Sequence, residues 1–114
     1  MTKLAQLIAE MEGFGLRGKI PTIRHNPGDL RHSPHSQHPA DPNAIGSIDT
    51  DAHGWEDLEV QLRRYADRGL TLEQAIEIFA PGNENDTEGY LKFICDGLGM
   101  APDTPARKAL ELQA

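Results

Sequence analysis

The chain has 114 residues, enough for one small domain with a modest core. Its formal net charge of −7 is opposite in sign to the basic footprint of nucleic-acid-binding proteins, so we expect no nucleic-acid partner. A single cysteine, Cys95, excludes an internal disulfide framework and suits a reducing compartment. The acidic residues and the spaced apolar residues of 1–12 argue against a signal peptide or a membrane-inserted segment there, so we expect synthesis in the cytoplasm.

The first predicted element is an amphipathic helix whose last turn carries Glu12. Its apolar residues recur with the period of one helix face, at Leu4, Leu7, Ile8 and Met11. Thr2 is the expected N-cap, and Gly13 and Gly15 end the helix. A carboxylate on the last turn faces the negative end of the helix dipole, which disfavours its ionised form. A solvent-exposed helical Glu is the ordinary interpretation of such a position, and a general acid is the functional one.

Residues 16–54 are predicted to form a loop-rich insert. Five of the eight prolines lie in this segment, which excludes long helices. Two short extended pieces, at about 29–32 and 44–50, predict a small irregular β-hairpin or paired loop. The NPGD sequence at 26–29 predicts a turn, because Pro presets φ and Gly accepts a positive φ.

Three amphipathic helices and a short last one follow the insert. The first carries an apolar stripe of Trp55, Leu58, Leu62 and Tyr65. Thr71 and Gln74 predict a capping box for the second, and Asp86 or Thr87 caps the third. The pair 104–105 (TP) starts the last helix, in a tail of about 101–114, with Thr as cap and Pro at the first helical position. The pattern predicts a mainly α fold in one domain, 1–114, with helices around a cleft that the insert floors.

Four stretches, in this order, resemble compact lysozyme-like peptidoglycan-cleaving proteins of phages, in the lysozyme and lytic transglycosylase superfamily. Residues 9–14 (AEMEGF) resemble the helix-ending E-G-F that holds the catalytic Glu, and residues 26–30 (NPGDL) are similar to an N-N-P-G-N-hydrophobic turn. Residues 48–55 (IDTDAHGW) resemble a strand that runs into a helix, and 79–90 (FAPGNENDTEGY) are similar to Y-A-P…E-N-x-T-x-x-Y. This chain departs from the family pattern at His25, at Phe79 and in the histidine-rich segment 32–38.

The resemblance implies a lysozyme-like α+β fold and cleavage of the peptidoglycan glycan strand, with Glu12 as the catalytic acid. A muramidase usually adds a second carboxylate, for which the candidates are Asp29, Asp49 and Asp51. A lytic transglycosylase of this superfamily needs only the one Glu, because a hydroxyl of the substrate attacks. A turn role for Asp29 and helix capping for Asp49 and Asp51 are the competing structural interpretations. Both reaction routes therefore stay open at this point.

Four further residues are predicted to contact the sugar: His25, Asn26, Asn85 and Tyr90. Amide and phenol groups suit the N-acetyl and hydroxyl groups of aminosugars. The structural alternatives are an Asx turn for Asn26, a cap for Asn85 and a core position for Tyr90. We expect a monomer that acts on peptidoglycan glycan strands after release, as an endolysin does, or from a phage particle. The alternative is an inactive cell-wall-binding or virion-structural module with the same fold.

The histidines form a separate pattern, because all five lie within residues 25–53. His32, His35 and His38 recur every third residue and Asp41 follows, so a zinc site is one interpretation of the segment. Prolines deny this segment the helix on which paired zinc ligands usually lie, and no Cys is near. We therefore interpret the segment as a polar loop and expect neither a metal ligand nor a cofactor.

Overall fold

The computed structural model describes residues 1–37, 45–82 and 85–114, and within these ranges the chain is mainly helical. Six helices follow one another: α1 (Lys3–Glu12), α2 (Ile20–Ile23), α3 (Asp51–Asp67), α4 (Leu72–Phe79), α5 (Thr87–Leu98) and α6 (Ala106–Ala109). The chain divides into two compact units, one of residues Ile8–Gln61 and one of Met1–Leu7 with Leu62–Ala114. None of the helices in the described ranges has the length and apolar character that a membrane crossing requires.

Helix α1 forms as its sequence pattern predicts. The Thr2 hydroxyl accepts a hydrogen bond from the Ala5 N–H at 3.1 Å, which confirms Thr2 as the N-cap. The predicted face is buried at Leu4, Leu7 and Ile8, together with Ala5 and Ala9, whereas Met11, its fourth apolar residue, is 38% exposed. Burial of this apolar face, rather than helix propensity alone, is what holds a ten-residue helix in place.

In the unit 8–61, the described residues of the predicted hairpin region form one antiparallel bridge, between Gln37 and Ser47. Backbone hydrogen bonds hold the second side of this loop: Gly46 N–H donates to Leu30 O at 3.0 Å and Ile48 N–H donates to Arg24 O at 2.9 Å. Residues 29–32 form no strand, and Ala44, the predicted start of the second extended piece, lies outside the described residues. The predicted insert of 16–54 therefore contains the short helix α2 and the first residues of α3, and its described loop segments are anchored at separate points.

The core of this unit forms where α3 packs on the turn at 26–28. Ile48 and Leu58 are buried, and Pro27 and Gly28 are buried with them. A Cβ atom added at Gly54 would lie 2.1 Å from the carbonyl oxygen of His25, so only glycine permits this approach of α3 to the turn. Thr50 starts α3, because its hydroxyl accepts a hydrogen bond from the His53 N–H at 3.1 Å.

In the other unit, α4 and α5 pack through a buried apolar set: Leu72, Ala75, Ile76, Tyr90, Ile94 and Leu98. The predicted capping box of α4 is present, with Thr71 accepting from the Gln74 N–H and Gln74 accepting from the Thr71 N–H. Asp86 caps α5 by accepting from the Gly89 N–H at 3.1 Å. Two bonds bring the ends of the chain together: Lys3 N–H donates to Leu112 O at 2.8 Å and Ala114 N–H donates to Met1 O at 3.2 Å.

The start of α6 differs from the prediction that Thr104 caps it with Pro105 at its first position. Pro105 instead occupies the N-cap with extended backbone angles, and no side chain caps the helix. The reason lies in tertiary pairing: Leu72 N–H donates to Thr104 O and Ala106 N–H donates to Leu70 O, each at 2.8 Å. This bridge holds Pro105 in an extended conformation opposite Thr71, so the helix begins one residue later.

Candidate functional site

Glu12 is the last residue of α1, and the chain turns away directly after it. Gly13 adopts a left-handed conformation with φ of 81°. Phe14 N–H donates to Ala9 O at 3.0 Å and Gly13 N–H donates to Glu10 O at 3.1 Å, which is the Schellman arrangement of a capped helix end. The Glu12 side chain is half-buried. Glu12 is therefore held on a defined backbone at the end of the helix, as the sequence predicted.

The segment after Glu12 is fixed by contacts with α2 and α3. The rings of Phe14 and Trp55 meet edge to face, with centroids 5.3 Å apart and an interplanar angle of 77°. Gly15 N–H donates to the Thr22 hydroxyl at 2.9 Å, and that hydroxyl donates to Gly13 O at 3.4 Å. Phe14, two residues after Glu12, is thus packed against Trp55 of α3.

Asn26, a predicted sugar ligand, is fully buried and uses its side chain within the protein. Its amide nitrogen donates to Leu30 O at 2.7 Å and Gly46 O at 2.9 Å, and its carbonyl oxygen accepts from the Leu30 N–H at 2.9 Å. The two bonds with Leu30 close the turn, and the bond to Gly46 joins the turn to the other side of the loop. The geometry favours the turn role that the sequence also allowed.

Asp29 lies in the same turn, with a left-handed φ of 53°. Its Oδ1 atom is buried and has no hydrogen-bond partner among the described residues. Burial raises the pKa of this carboxyl above its ordinary value of 3.8, against the opposing charges of Arg31 and Arg24. A buried carboxyl whose pKa is raised by desolvation is the environment that general acids and bases commonly have.

Three histidines in unit 8–61 donate a ring N–H to a carboxylate. His25 Nδ1 lies 2.6 Å from Asp51, His53 Nδ1 lies 2.7 Å from Asp49, and His35 Nδ1 lies 2.6 Å from Asp57. Because Thr50 caps α3, the carboxylates of Asp49 and Asp51 are not used as caps and can accept hydrogen bonds from histidine rings. The hydrogen bond from His53 lowers the pKa of Asp49, and the bond to Asp57 raises the pKa of His35.

Asp57 is the most buried of these carboxylates, with 1% of the residue exposed. Its oxygens accept three hydrogen bonds: from the Ser33 hydroxyl at 2.5 Å, the His35 N–H at 2.9 Å and the His35 ring. A buried carboxylate is costly unless hydrogen bonds compensate it, so these donors have to stay in place. Asp57 therefore fixes the loop at 33–35 on α3.

His35 and His53 stack face to face, with centroids 4.0 Å apart and planes 3° from parallel. Glu56 lies one turn along α3 from His53, so the two side chains share a helix face. Each of the three residues offers one ligand atom, and these atoms lie within 4.8 Å of one another. His35 stands out in the sequence through its histidine-rich segment, whereas neither Asp57 nor Glu56 was predicted as a site residue. The spacing His53-x-x-Glu56, at the start of a predicted helix, was the available signal.

Of the other histidine-segment residues, His32 is exposed on the loop, and His38 and Asp41 lie outside the described residues. Glu84, which belongs to the fourth stretch of family resemblance, lies outside them as well.

Asn85 and Tyr90 belong to the other unit. Tyr90 is 3% exposed, and its ring lies 6.4 Å from that of Phe79, so it takes the core position that the sequence offered as an alternative. Asn85 is half-buried, and its amide donates to Pro81 O at 3.5 Å, a long bond. An open depression of about 700 Å³ on this unit is lined mainly by α5 and the segment after it, and neither residue lines it.

Comparisons with known proteins found no relative of this chain: no family model, no curated protein and no solved structure matches it.

Proposed function

We propose that this protein cleaves the glycan strand of peptidoglycan, with Glu12 as the general acid and base. The observation that carries the proposal is the position of Glu12 at a capped helix end. Two residues later, Phe14 packs edge to face against Trp55. A catalytic carboxyl has to be held in one place, and the Schellman cap fixes the backbone on which Glu12 stands. The family resemblance of residues 9–14 supports the same role.

The chemistry asks for a proton donor to the leaving glycosidic oxygen and for stabilisation of an oxocarbenium-like transition state. In the proposed reaction Glu12 donates that proton and then accepts one from the attacking group. The attacking group is water in a muramidase and a hydroxyl of the sugar itself in a lytic transglycosylase. Proton transfer by a positioned side chain contributes about 10² to 10⁴ in rate, so its loss is easily measured.

Of the candidate second carboxylates, Asp29 is the better supported. Asp49 and Asp51 are engaged with His53 and His25, whereas the Oδ1 atom of Asp29 has no partner among the described residues. Burial raises the pKa of Asp29, which makes its ionised form a stronger base toward an attacking water. If the reaction is a hydrolysis, we infer that Asp29 assists it.

Among the predicted sugar contacts, His25 is the most accessible, since 45% of its side chain is exposed. Its Nδ1–H donates to Asp51, and the other ring nitrogen is the one that would meet a sugar hydroxyl. Asn26 and Tyr90 are buried and would act by supporting the fold. Asn85 stays a half-buried candidate on the other unit.

The test is the rate at which purified cell walls lose turbidity, compared between the unaltered protein and Glu12→Gln. We expect the variant to be slower by about a hundredfold or more, because Gln cannot donate the proton. Glu10→Gln is the matched control: it makes the same change on an exposed residue of α1, and we expect it to keep the full rate. Mass spectrometry of the released fragments then separates the two routes, since hydrolysis leaves reducing ends and transglycosylation leaves anhydro ends.

Equal clearing by the unaltered protein and Glu12→Gln would rule Glu12 out as the catalyst. Sedimentation of the protein with walls, without release of any fragment, would instead identify an inactive wall-binding or virion module. For the second carboxylate, Asp29→Asn should lower the rate of hydrolysis and leave binding to walls unchanged. An unchanged rate for Asp29→Asn would leave Glu12 acting alone.

A further inference from the structure

We propose that His35, His53 and Glu56 bind a divalent transition-metal ion, with Zn²⁺ as the ion that fits the donor set best. The site lies where the loop at 33–35 meets the first turns of α3. This proposal departs from the interpretation of the histidine segment as a polar loop without metal ligands. Of the His32–His38 repeat, only His35 takes part in the site. The site is independent of the proposed cleavage of glycan strands.

The donor set is two imidazoles and one carboxylate, which zinc binds with a fourth position left open for water or a ligand oxygen. Zinc–nitrogen and zinc–oxygen bonds of about 2.0–2.2 Å bring tetrahedral ligand atoms to within roughly 3.5 Å of one another. The three ligand atoms here already lie within 4.8 Å, and none of the three residues is fully buried. The two rings are stacked only 3° from parallel, so metal binding would require both side chains to turn until their in-plane lone pairs converge on one point.

The surroundings of both histidines match those of metal ligands. Metal-binding histidines usually donate their second ring N–H to a carboxylate, which fixes the tautomer and the orientation of the ring. Asp57 accepts from His35 Nδ1 and Asp49 accepts from His53 Nδ1. These bonds leave Nε2 of each ring as the atom that would bind the metal. Asp57 and Asp49 are therefore positioning residues.

The burial of Asp57 is a second, independent observation. None of its side chain is exposed, although 32% of the His35 side chain is. Burying the Asp57 carboxylate costs free energy, and the hydrogen bonds from the backbone N–H and the ring of His35 offset part of that cost. These bonds keep His35 beside His53 and Glu56, where the three potential ligand atoms lie within 4.8 Å of one another.

Glu56 supplies the carboxylate of the site. It is exposed on α3, and its charge acts on His35, whereas none of the ion pairs seen among the described residues includes it. His25 forms a similar pair with Asp51, but it belongs to no group of potential ligands among those residues. His25 therefore supplies a matched control.

The test is titration of the chelator-treated, metal-free protein with Zn²⁺ by calorimetry. We expect one ion per chain, bound in the micromolar range or tighter. Glu56→Gln and His53→Ala should each weaken binding at least tenfold, and Asp49→Asn should weaken it by about ten- to a hundredfold. His25→Asn should bind as the unaltered protein does, and Asn suits the left-handed φ of 52° at this position. Far-UV circular dichroism of each variant checks that it is folded.

Binding of Co²⁺ gives a second measurement, because tetrahedral coordination produces intense visible absorption bands. We expect these bands in the unaltered protein and their loss in His53→Ala. The proposal is overturned if the metal-free protein binds no zinc, or if Glu56→Gln and His53→Ala bind it as tightly as the unaltered protein. It is also overturned if His32→Ala weakens binding as much as His53→Ala does, since the histidine repeat would then hold the ion. All of these readouts are metal binding, so their outcome is separate from that of the cleavage test.

Discussion

At Gly54 the first turn of α3 runs against the backbone of His25, and the contact leaves no space for a side chain. A Cβ atom there would lie 2.1 Å from the His25 oxygen and 2.7 Å from Cδ of Pro27. The atoms that it would meet are backbone and a proline ring, which cannot rotate away. The sequence indicated a turn and a helix in these places, but nothing local indicated that they touch.

We expect Gly54→Ala to lower the free energy of unfolding by about 1–3 kcal/mol, the usual cost of overpacking. Denaturant unfolding followed by circular dichroism measures the change. Gly82→Ala is the matched control, because in the described ranges the nearest atom to its added Cβ, the Thr87 hydroxyl, is 3.7 Å away. An unchanged midpoint for Gly54→Ala would mean that α3 and the turn separate without cost.

Asp29 gives a pH-dependent prediction. Its pKa is higher in the folded protein than in the unfolded chain, so the folded state binds the proton more tightly. The resulting contribution to stability is complete below the unfolded-state pKa, near 3.8, and is lost as the pH rises through the folded-state value. Asp29→Asn, which cannot ionise and suits a positive φ, should therefore be more stable than the unaltered protein at pH 7 and equal to it near pH 3.

Thermal unfolding at both pH values measures this difference. The exposed residue Asp103 supplies the control, and Asp103→Asn should leave the midpoint unchanged at either pH. A loss of stability in Asp29→Asn at pH 7 would show that the ionised carboxylate is favourable where it lies. Together with the expected loss of hydrolysis, the predicted gain would be a trade of stability for activity at one residue.

All the described helices except α2, and the caps of α1, α4 and α5, could be predicted from the sequence, because their signals are local. Periodic apolar residues indicated α1, α3, α4 and α5, and the capping box at 71–74 was recognisable from its residues alone. The short helix α2 was not predicted, since four residues carry too little periodicity and lie in a proline-rich segment.

The candidate metal site could not be predicted in the same way. His35 and Asp57 are 22 residues apart, and His25 and Asp51 are 26 apart. Only the tertiary structure brings such partners together, so the spacing of the histidines in the sequence did not indicate which residues would be their neighbours. The pairing of Asp49 with His53, four residues on, was within reach of local reasoning.

Capping at α4 provides a prediction for a whole element. Thr71→Ala removes the hydroxyl that accepts from the Gln74 N–H, and we expect a loss of about 1 kcal/mol in the free energy of unfolding. Thr104→Ala is the informative comparison, because Thr104 also has a capping sequence but no side chain caps α6. Its effect should be clearly smaller in the same denaturant titration. Equal losses would mean that Thr71 stabilises the protein by something other than capping.

The whole molecule carries a net charge of −7, which opposes its approach to an anionic wall polymer. The range of that repulsion falls from about 30 Å at 0.01 M salt to about 8 Å at 0.15 M. If the protein cleaves peptidoglycan, we expect walls to clear faster at the higher of these two salt concentrations. Replacing the exposed Glu77 and Glu88 by Gln should weaken this dependence. A rate that falls steadily with salt would indicate attraction instead of repulsion.

The hydrogen bonds between residues at the two ends of the chain bear on how this chain can be joined to other proteins. Residues 1 and 114 lie within hydrogen-bonding distance of each other, at 3.2 Å between the Met1 oxygen and the Ala114 nitrogen. A domain with adjacent termini can be spliced into a surface loop of a host protein, because both junctions leave at one point and the host loop need not be stretched. For the same reason a short peptide could close this chain into a ring, and new ends could then be cut elsewhere on the surface.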